Sequence, residues 1–262
     1  MRAPSIWLVG CGNMGGAMLQ GWLTSGVPAN SIHVIDPMAK SVPSGVALSA
    51  APPTDGAPDI LVLAIKPQML GDVGPTLPVS SATIVISILA GVEIASLSAA
   101  LPGTGAFVRV IPKMPAAIGE GVSAVFAPSL DGEGRQRIDA LVAPLGRVEW
   151  VEDESLFHAV TGLSGSGPAF VLRFAEALAA AGVAEGLSPD LAQRLALETL
   201  AGTARLALQS DMSPSDLAET VRSPNGTTHA GLVVIDGSDF AEIVRQTIGA
   251  AATRSRELTV AR

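Results

Sequence analysis

The stretch WLVGCGNMGGAML, residues 7–19, limits the possible folds of this chain more than any other segment. It places Gly10, Gly12 and Gly15 in G-x-G-x-x-G spacing between a short apolar run and a helical pattern. In that spacing the first glycine permits a tight turn, the second lets a pyrophosphate approach the backbone, and the third lets helix and strand pack closely. An acidic residue, Asp36, closes the next apolar run. The stretch therefore predicts a Rossmann-type domain that holds a dinucleotide at the start of its first helix.

The spacing of apolar residues changes near the middle of the chain. In the first half, short apolar runs alternate with helical patterns, which predicts a parallel α/β sheet. The predicted strands are residues 6–9, 32–35, 60–65, 83–88, 106–111, 121–126 and 148–151. The second half predicts helices over residues 168–181, 189–208, 214–221, 227–235 and 240–258. We expect an α/β fold with a Rossmann-type domain over residues 1–155 and an all-α domain over residues 156–262.

Composition and charge exclude several classes of protein. Hydrophobic residues make up 48% of the chain and charged residues 15%, a globular composition. The net charge is −8 without a basic cluster, so we expect neither nucleic acid nor anionic lipid as a partner. Cys11 is the only cysteine, which rules out an intrachain disulfide and favours a reducing compartment. The apolar runs are short and broken by Pro, Gly or charge, so we expect a soluble, cytoplasmic protein, and we assign it no metal site.

Asp36 bears on the choice of cofactor. Its carboxylate can accept hydrogen bonds from the ribose hydroxyls of adenosine, whereas a 2′-phosphate would meet its negative charge. This pattern favours NADH over NADPH. Lys40 lies four residues further on and could offset the repulsion. NADPH therefore stays open.

Two Pro-containing loops follow predicted strands, where ligands bind in doubly wound folds. The first, AIKPQ at residues 64–68, contains Ala64, Lys66 and Pro67. The second, RVIPKMPAAIGEG at residues 109–121, contains Pro112 and Lys113. We interpret both as loops that line the cofactor, although an exposed lysine and a rigid turn would also explain them.

Two stretches of small polar residues precede predicted helices in the second half. TGLSGSGPAF, residues 161–170, fits either a flexible linker or a helix start with Ser164 or Ser166 as cap and Pro168 at the first turn. VRSPNGTTHAGL, residues 221–232, fits a helix start whose backbone amides bind a carboxylate without a basic side chain. A plain capped turn is the alternative interpretation of the second stretch.

Together these segments resemble pyrroline-5-carboxylate reductases. The segments GCGNMGGAM, LAIKPQ, RVIPKMPAAIGEG, VTGLSGSGPAF, SPNGTTHAGL and AATRSREL occur in the order of that family and span nearly the whole chain. The resemblance implies reduction of the cyclic imine 1-pyrroline-5-carboxylate to L-proline with NAD(P)H, the last step of proline biosynthesis. It also implies a Rossmann domain followed by a helical domain that interlocks with a second subunit, in dimers that often assemble into decamers.

The resemblance also implies site residues. It places the Ser-Gly-Ser-Gly-Pro turn beside nicotinamide and substrate, which makes that stretch an active-site turn and not a linker. It makes the SPNGTT segment the carboxylate-binding loop, with Thr228 bonded to the imine nitrogen as the catalytic residue. The expected substrate-binding residues are Ser164, Ser166, Gly167, Ser223, Asn225, Gly226, Thr227 and Thr228. The expected cofactor-binding residues are Gly10, Gly12, Asn13, Met14, Gly15, Asp36, Ala64, Lys66, Pro67, Pro112 and Lys113.

The chain departs from the family pattern at three places. Lys113-Met114 stands where the family usually has Asn-Thr, and that Asn generally contacts the cofactor ribose. Asn225 replaces a usual glycine, which is a mild change because Asn tolerates left-handed backbone. Phe170 replaces a usual tyrosine. These differences leave two alternatives open: a reductase of another cyclic imine, or a non-catalytic NAD(P)-binding protein.

Two further expectations concern mechanism and assembly. A protonated imine is already an electrophile, so hydride transfer needs orientation more than a strong acid or base, and no catalytic role is assigned to His33, His158 or His229. A β-hydroxyacid dehydrogenase is disfavoured because that family uses a lysine of its helical domain, and no lysine follows Lys113. The helical segment is rich in apolar residues that a symmetric homodimer would cover.

Overall fold

A computed structural model describes residues 3–260, and eight strands in that range form a single sheet. The order across the sheet is β3-β2-β1-β4-β5-β6-β7-β8, and every neighbouring pair is parallel except β6 and β7. The strands are β1 Ile6–Val9, β2 Ile32–Ile35, β3 Ala47–Ser49, β4 Ile60–Leu63, β5 Ile84–Ser87, β6 Ala106–Ile111, β7 Gly121–Phe126 and β8 Gly146–Trp150. The alternation of strands and helices confirms the predicted α/β class.

The central strands are apolar on both faces because helices cover both sides of the sheet. Every residue of β1 and of β4 is buried. One face packs against a cluster that includes Trp22 and Ile138, and the other against a cluster that includes Leu97 and Leu101. These continuous apolar runs are the reason that the sequence pattern located the central strands.

Two features of the sheet differ from the expected parallel arrangement. β3 was not predicted, because its three residues carry no buried apolar run and Leu48 is exposed. β7 runs antiparallel to β6, with Arg109 paired to Phe126 and Ile111 to Ala124. Only residues 112–120 connect these two strands, which is too short for the crossover that a parallel pair requires.

Ten α-helices lie within the described residues, and those of the second half follow the predicted segments closely. They are α1 Asn13–Thr24, α2 Leu70–Val73, α3 Ile94–Ala100, α4 Gly132–Val142, α5 Phe157–Val160, α6 Gly167–Ala184, α7 Pro189–Leu208, α8 Pro214–Thr220, α9 Thr227–Asp236 and α10 Phe240–Val260. Proline stands in the first turn of α6, α7 and α8, where its missing N–H costs no hydrogen bond.

The Ser-Gly-Ser-Gly-Pro stretch is neither a linker nor a capped helix start. A π-helical turn, Thr161–Gly165, joins α5 to α6. The hydroxyl of Ser164 donates back to the carbonyl of Val160 at 3.0 Å, and that of Thr161 donates to Phe157 at 2.7 Å. Ser166 makes no side-chain cap bond to α6. The predicted cap is therefore wrong, because these hydroxyls satisfy carbonyls of the preceding turn.

The described chain divides into two compact units. The first unit contains the chain up to Gly165, which includes the whole sheet, together with the chain from Ala251 onward. The second contains Ser166–Ala250. Helices α6 and α7 pack against each other within the second unit. The last helix, α10, contributes residues to both units. The predicted domain boundary after residue 155 stays a prediction.

A buried ion pair anchors the segment that leads into α5. The Nη1 atom of Arg109, on β6, lies 2.7 Å from Oε1 of Glu154, and the two side chains are 5% and 25% exposed. The same carboxylate oxygen accepts the backbone N–H of Ile94 at the start of α3, at 2.8 Å. The guanidinium also stacks over the ring of Phe157, 4.6 Å from its centroid. One carboxylate thus joins β6, α3 and the chain that precedes the π turn.

We predict that Glu154→Ala lowers the free energy of unfolding by about 3 kcal/mol, because it leaves a buried guanidinium without its counter-charge. Urea unfolding followed by circular dichroism measures the change. The matched control is Glu133→Ala, which breaks the exposed pair with Arg137 and should have a much smaller effect. Equal losses in the two variants would contradict the assigned role of the buried pair.

Candidate active site

Two of the three motif glycines are required by the protein itself. Gly10 has φ +91, and a Cβ on it would lie 2.7 Å from the carbonyl oxygen of Ala64 at the end of β4. A Cβ on Gly15 would collide with the carbonyl oxygen of Gly10 and lie 3.2 Å from the Cβ of Ala64. Both glycines therefore allow the start of α1 to press against the sheet.

At Gly12, unlike Gly10 and Gly15, packing within the protein does not require a glycine. Apart from Gly12 and its two chain neighbours, no residue of the described chain has an atom within 4 Å of the position that its Cβ would take. Gly12 precedes α1 and no side chain among residues 3–260 caps this helix start, which leaves the first backbone amides free for an acceptor. A position that needs no side chain, beside free amides, fits the pyrophosphate of a dinucleotide.

A cleft of about 560 Å³ extends from this loop along the carboxyl edge of the sheet. Its lining is mostly apolar. The lining includes Gly10, Gly12, Asp36, Met38, Ala64 and Lys66. Lys66 is exposed at the rim, and Lys40 is not among the lining residues. The cleft thus joins the glycine loop, the end of β2 and the end of β4.

Asp36 has a second role that the sequence did not reveal. Its Oδ2 accepts the backbone N–H of Cys11 at 2.7 Å, and its Oδ1 accepts the N–H of Met38 at 2.8 Å. Each oxygen keeps a further lone pair for a ligand hydroxyl. The carboxylate therefore fixes the glycine loop and still presents acceptors to the cleft. A contact between residues 25 positions apart leaves no local signal in the sequence.

The remaining predicted cofactor residues follow the same edge of the sheet. Asn13 and Met14 begin α1, and Pro67 begins a short turn after β4. Pro112 and Lys113 follow β6. Because the strands β1, β4 and β6 are parallel to one another through β5, these residues share the carboxyl edge.

Lys113 is the most unusual side chain of the first unit. It is only 3% exposed, and its Nζ has no hydrogen-bond partner among the described residues. The amine lies 3.7 Å from the position that a Cβ on Gly165 would take, against the π turn. Burial lowers the pKa of Lys113 to about 8. A buried amine without a partner destabilises the protein, so it indicates a site that a ligand completes.

The SPNGTT loop lies in the second unit and has the geometry of an anion site. Asn225 has φ 55, the left-handed conformation that Asn tolerates in place of glycine. The N–H of Gly226 donates to the carbonyl of Ser223 at 3.0 Å, and the Ser223 hydroxyl occupies the place of a Cβ on Gly226. No side chain of the described range caps α9, so the amides of Thr227 and Thr228 are open to an acceptor.

Arg222, which precedes the SPNGTT loop, links the loop to the helices on both sides of it, α8 and α9. Arg222 contacts Oδ2 of Asp236, at the end of α9, at 2.6 Å, and lies 3.3 Å from Glu219 on α8. The loop is thus closed from both ends by one guanidinium. The predicted substrate residues divide between the units: Ser164 belongs to the first, and Ser166, Gly167 and residues 223–228 belong to the second.

Two of the three histidines are held in hydrogen bonds that suit a structural role. Nε2 of His33 lies 2.8 Å from the hydroxyl of Ser49, and burial lowers its pKa. Nδ1 of His158 lies 3.0 Å from the hydroxyl of Ser255, and burial, followed by the charges of Arg256 and Arg109, lowers its pKa. Neither side chain lines the cleft.

The helical unit carries an apolar groove of about 420 Å³ between α6 and α7. Its lining includes Leu172, Ala175, Ala179, Val183 and Leu197. By length and composition alone, the helical stretch 154–184 could also cross a membrane. The sequence predicts no such span because Gly and Pro interrupt the apolar run, whereas the structure continues the helix through them. One helix of this kind is weak evidence for a membrane, because the helices of a protein interface share its composition.

Comparison with known proteins gives the same two-part division. A family model described as pyrroline-5-carboxylate reductase dimerisation matches residues 154–258, and one described as NADP oxidoreductase, coenzyme F420-dependent, matches residues 5–91. Curated pyrroline-5-carboxylate reductases of Pasteurella multocida and Pseudomonas aeruginosa are 36% and 34% identical, with 98% of each chain covered. A solved pyrroline-5-carboxylate reductase from Coxiella burnetii has a TM-score of 0.88 and 28% identity, covering 98% of this chain and 99% of that one. A Plasmodium falciparum pyrroline carboxylate reductase with NADP bound has a TM-score of 0.82 and 26% identity, with 99% of each chain covered.

We predict that Gly12→Val weakens binding of the dinucleotide by about a hundredfold or more, since the new methyl groups enter the space left for the pyrophosphate. Fluorescence titration with NADH measures the dissociation constant. Because no protein atom lies near that position, the thermal midpoint of the cofactor-free variant should stay unchanged. A stable variant with normal affinity would contradict the assignment of Gly12.

We predict that Lys113→Met raises the free energy of unfolding of the cofactor-free protein by about 2 kcal/mol at neutral pH. Because the pKa of Lys113 is about 8 when folded and 10.5 ordinarily, the unfolded chain binds the proton more tightly between those values. The penalty is complete below about pH 8 and disappears as the pH rises through that window.

Urea unfolding of both proteins at about pH 7 and about pH 10 measures this difference, which should shrink at the higher pH. Cys11 is present in both proteins, so its contribution to the pH dependence of stability cancels in the difference between them. Lys40→Met, which removes an exposed amine, serves as the control. A destabilised Lys113→Met protein at neutral pH would show that the amine has a partner in the cofactor-free fold.

Proposed function

The chain belongs to the pyrroline-5-carboxylate reductase family, and we propose that it reduces 1-pyrroline-5-carboxylate to L-proline with a reduced nicotinamide cofactor. It is an NAD(P)H-dependent oxidoreductase of the kind that completes proline biosynthesis. The observation that carries the proposal is the combination of two uncapped helix starts, one at the glycine loop and one at the SPNGTT loop. The first suits the pyrophosphate of a cofactor and the second suits a substrate carboxylate.

The residues of the first unit fit the cofactor. The open position at Gly12 and the amides of Asn13 and Met14 suit the pyrophosphate, and Asp36 suits the adenosine ribose. Ala64, Lys66, Pro67, Pro112 and Lys113 line the route along the carboxyl edge. When bound, the cofactor supplies the hydride that reduces the imine carbon.

In the second unit, the start of α9 would hold the substrate. Ser223, Asn225, Gly226 and Thr227 form a turn whose amides suit the carboxylate, with the positive end of the α9 dipole behind them. The Thr228 hydroxyl, half-buried one residue into the helix, would bond the ring nitrogen and orient it. Ser164, Ser166 and Gly167 complete the proposed substrate set.

This arrangement is sufficient for the chemistry. The protonated imine carries its own positive charge, so the residues need to bind, orient and exclude water more than to move protons. The carboxylate on the α9 amides fixes one end of the ring and the Thr228 hydroxyl fixes the nitrogen. Neither role requires a histidine, which agrees with the hydrogen bonds of His33 and His158 to serine hydroxyls.

NADH is the proposed cofactor in preference to NADPH. A 2′-phosphate needs a cation beside the adenosine ribose, and the cleft presents the carboxylate of Asp36 there. Lys40 is exposed and does not line the cleft, and Lys66 lies after β4, on the far side of β1. Asp36 therefore keeps its charge uncompensated toward the ribose.

We also propose a homodimer through the helical part of the chain, working in the cytoplasm, with the domain boundary near residue 155. The match to a dimerisation domain begins at residue 154. Apolar side chains on α7 and α9 remain exposed, such as Leu208 at 76% and Val234 at 72%. A second copy of the chain would cover these faces and the groove between α6 and α7.

The direct test follows cofactor oxidation at an absorbance specific to the reduced form, with 1-pyrroline-5-carboxylate and, separately, with 1-piperideine carboxylates. Rapid turnover on the five-membered ring with NADH ahead of NADPH supports the proposal. Preference for the six-membered ring would make the chain a reductase of another cyclic imine. Cofactor binding without turnover on either ring would make it a non-catalytic NAD(P)-binding protein.

We predict that Thr228→Ala lowers kcat by about a hundredfold while the dissociation constant of NADH changes less than about twofold. Thr228→Ser keeps the hydroxyl and should retain most of the activity. Thr220→Ala is the control, because the Thr220 hydroxyl is exposed and bonds only the carbonyl of Leu217. Full activity of Thr228→Ala would remove the hydroxyl from the mechanism.

A further inference from the structure

The charge at Lys113 has no compensation within the first unit. Its Nζ has no hydrogen-bond partner among the described residues, and burial is the only cause of its lowered pKa. On the π turn the amine lies 3.7 Å from the position that a Cβ on Gly165 would take, and this residue carries no charge. The carboxylate of Glu154 is engaged by Arg109. An ammonium group in these surroundings projects its field much further than one in water.

The position of Lys113 along the sheet determines which part of a bound cofactor lies closest to the charge of its ammonium group. The pyrophosphate site is at β1, and Asp36 places the adenosine beyond it, after β2. The other half of a dinucleotide then extends over β4 and β5 toward β6. Lys113 follows β6, three strands from β1, or about 14 Å at the usual spacing. By its strand, Lys113 therefore belongs to the nicotinamide end of the proposed site.

The lysine that lines the cleft itself, Lys66, cannot have the same effect. Lys66 lines the cleft but is exposed to solvent, where water and salt screen its charge. Lys113 is 3% exposed, so solvent does not screen it in this way. Of the two lysines on the nicotinamide side, the buried one has the stronger electrostatic influence.

We propose that Lys113 is a specificity-determining residue that makes this chain bind the reduced nicotinamide cofactor in preference to the oxidised one. This inference rests on the proposed function, since it assumes a dinucleotide in the cleft. The nicotinamide ring of NAD⁺ carries a positive charge, whereas that of NADH is neutral. A buried ammonium group nearby repels the first and not the second.

The discrimination would serve a reductase directly. Such an enzyme must admit NADH and release NAD⁺ in each cycle, and of these two cofactor forms a cation beside the ring repels only NAD⁺. A neutral side chain at this position would lack the repulsion. Lys113 thus reduces inhibition by NAD⁺. In exchange, the buried amine lowers the stability of the cofactor-free protein.

The experiment measures dissociation constants for NADH and for NAD⁺ by calorimetric titration at neutral pH and without substrate. The chain itself is compared with Lys113→Met and Lys113→Asn, two neutral side chains of different length. We expect the dissociation constant of NAD⁺, divided by that of NADH, to fall by about tenfold in both variants, because the repulsion of NAD⁺ is lost. Lys40→Met, which removes an exposed lysine outside the cleft, should leave the ratio unchanged.

The outcomes separate this inference from the proposed function. Circular dichroism first shows which variants fold, and either folded variant suffices for the test. An unchanged ratio in a folded variant that still binds NADH would overturn the role of Lys113 and leave the reductase assignment intact. Equal losses of affinity for both cofactor forms would show a structural role alone and overturn it as well. Failure of the unaltered chain to bind either form would overturn the cofactor site and this inference together.

Discussion

The close approach of the glycine loop to the end of β4 is the constraint on which the rest of the first unit depends. Gly10 and Gly15 admit no side chain because Ala64 and the loop's own carbonyl occupy the space. This contact fixes α1 on the sheet and directs its free amides along the carboxyl edge. Asp36 then holds the loop through the N–H of Cys11 and faces the same cleft. The fold and the proposed cofactor site thus depend on one packing requirement, and of the three motif glycines only Gly12 has open space at its Cβ position.

A second set of contacts places the π turn against β6. Arg109 and Glu154 join β6 to the segment before α5, and α5 continues into the turn that faces the amine of Lys113. In this pair the buried guanidinium has its counter-charge, whereas the buried amine of Lys113, which follows the same strand, has no hydrogen-bond partner among the described residues. The two buried cations near the π turn therefore differ: the charge of Arg109 is neutralised within the fold, whereas that of Lys113 is the one we propose acts on a ligand.

Local patterns predicted much of this architecture because the relevant forces act over a few residues. Ser-Pro pairs start α7 and α8 where expected, since proline fits the first turn of a helix. The strands β1 and β4 were visible as apolar runs because both faces of a parallel sheet are covered. The exposed β3 and the antiparallel direction of β7 were not visible. The direction of a strand depends on the length of the loop that connects it to its neighbour and on which sheet edge is free. The residues of the strand itself encode neither property.

The sequence by itself determined the family, the two-part organisation and the residue types of both proposed binding loops, because glycine spacing, helix start signals and apolar periodicity are local properties. It also located Lys113 at the end of β6 as a departure from the family pattern. Only the tertiary structure decided that this lysine is buried and without a partner, and that Ser164 bonds back to its own helix. Burial and hydrogen bonding depend on which distant segments meet, and for Lys113 the neighbouring segment is the π turn, about fifty residues further along the chain.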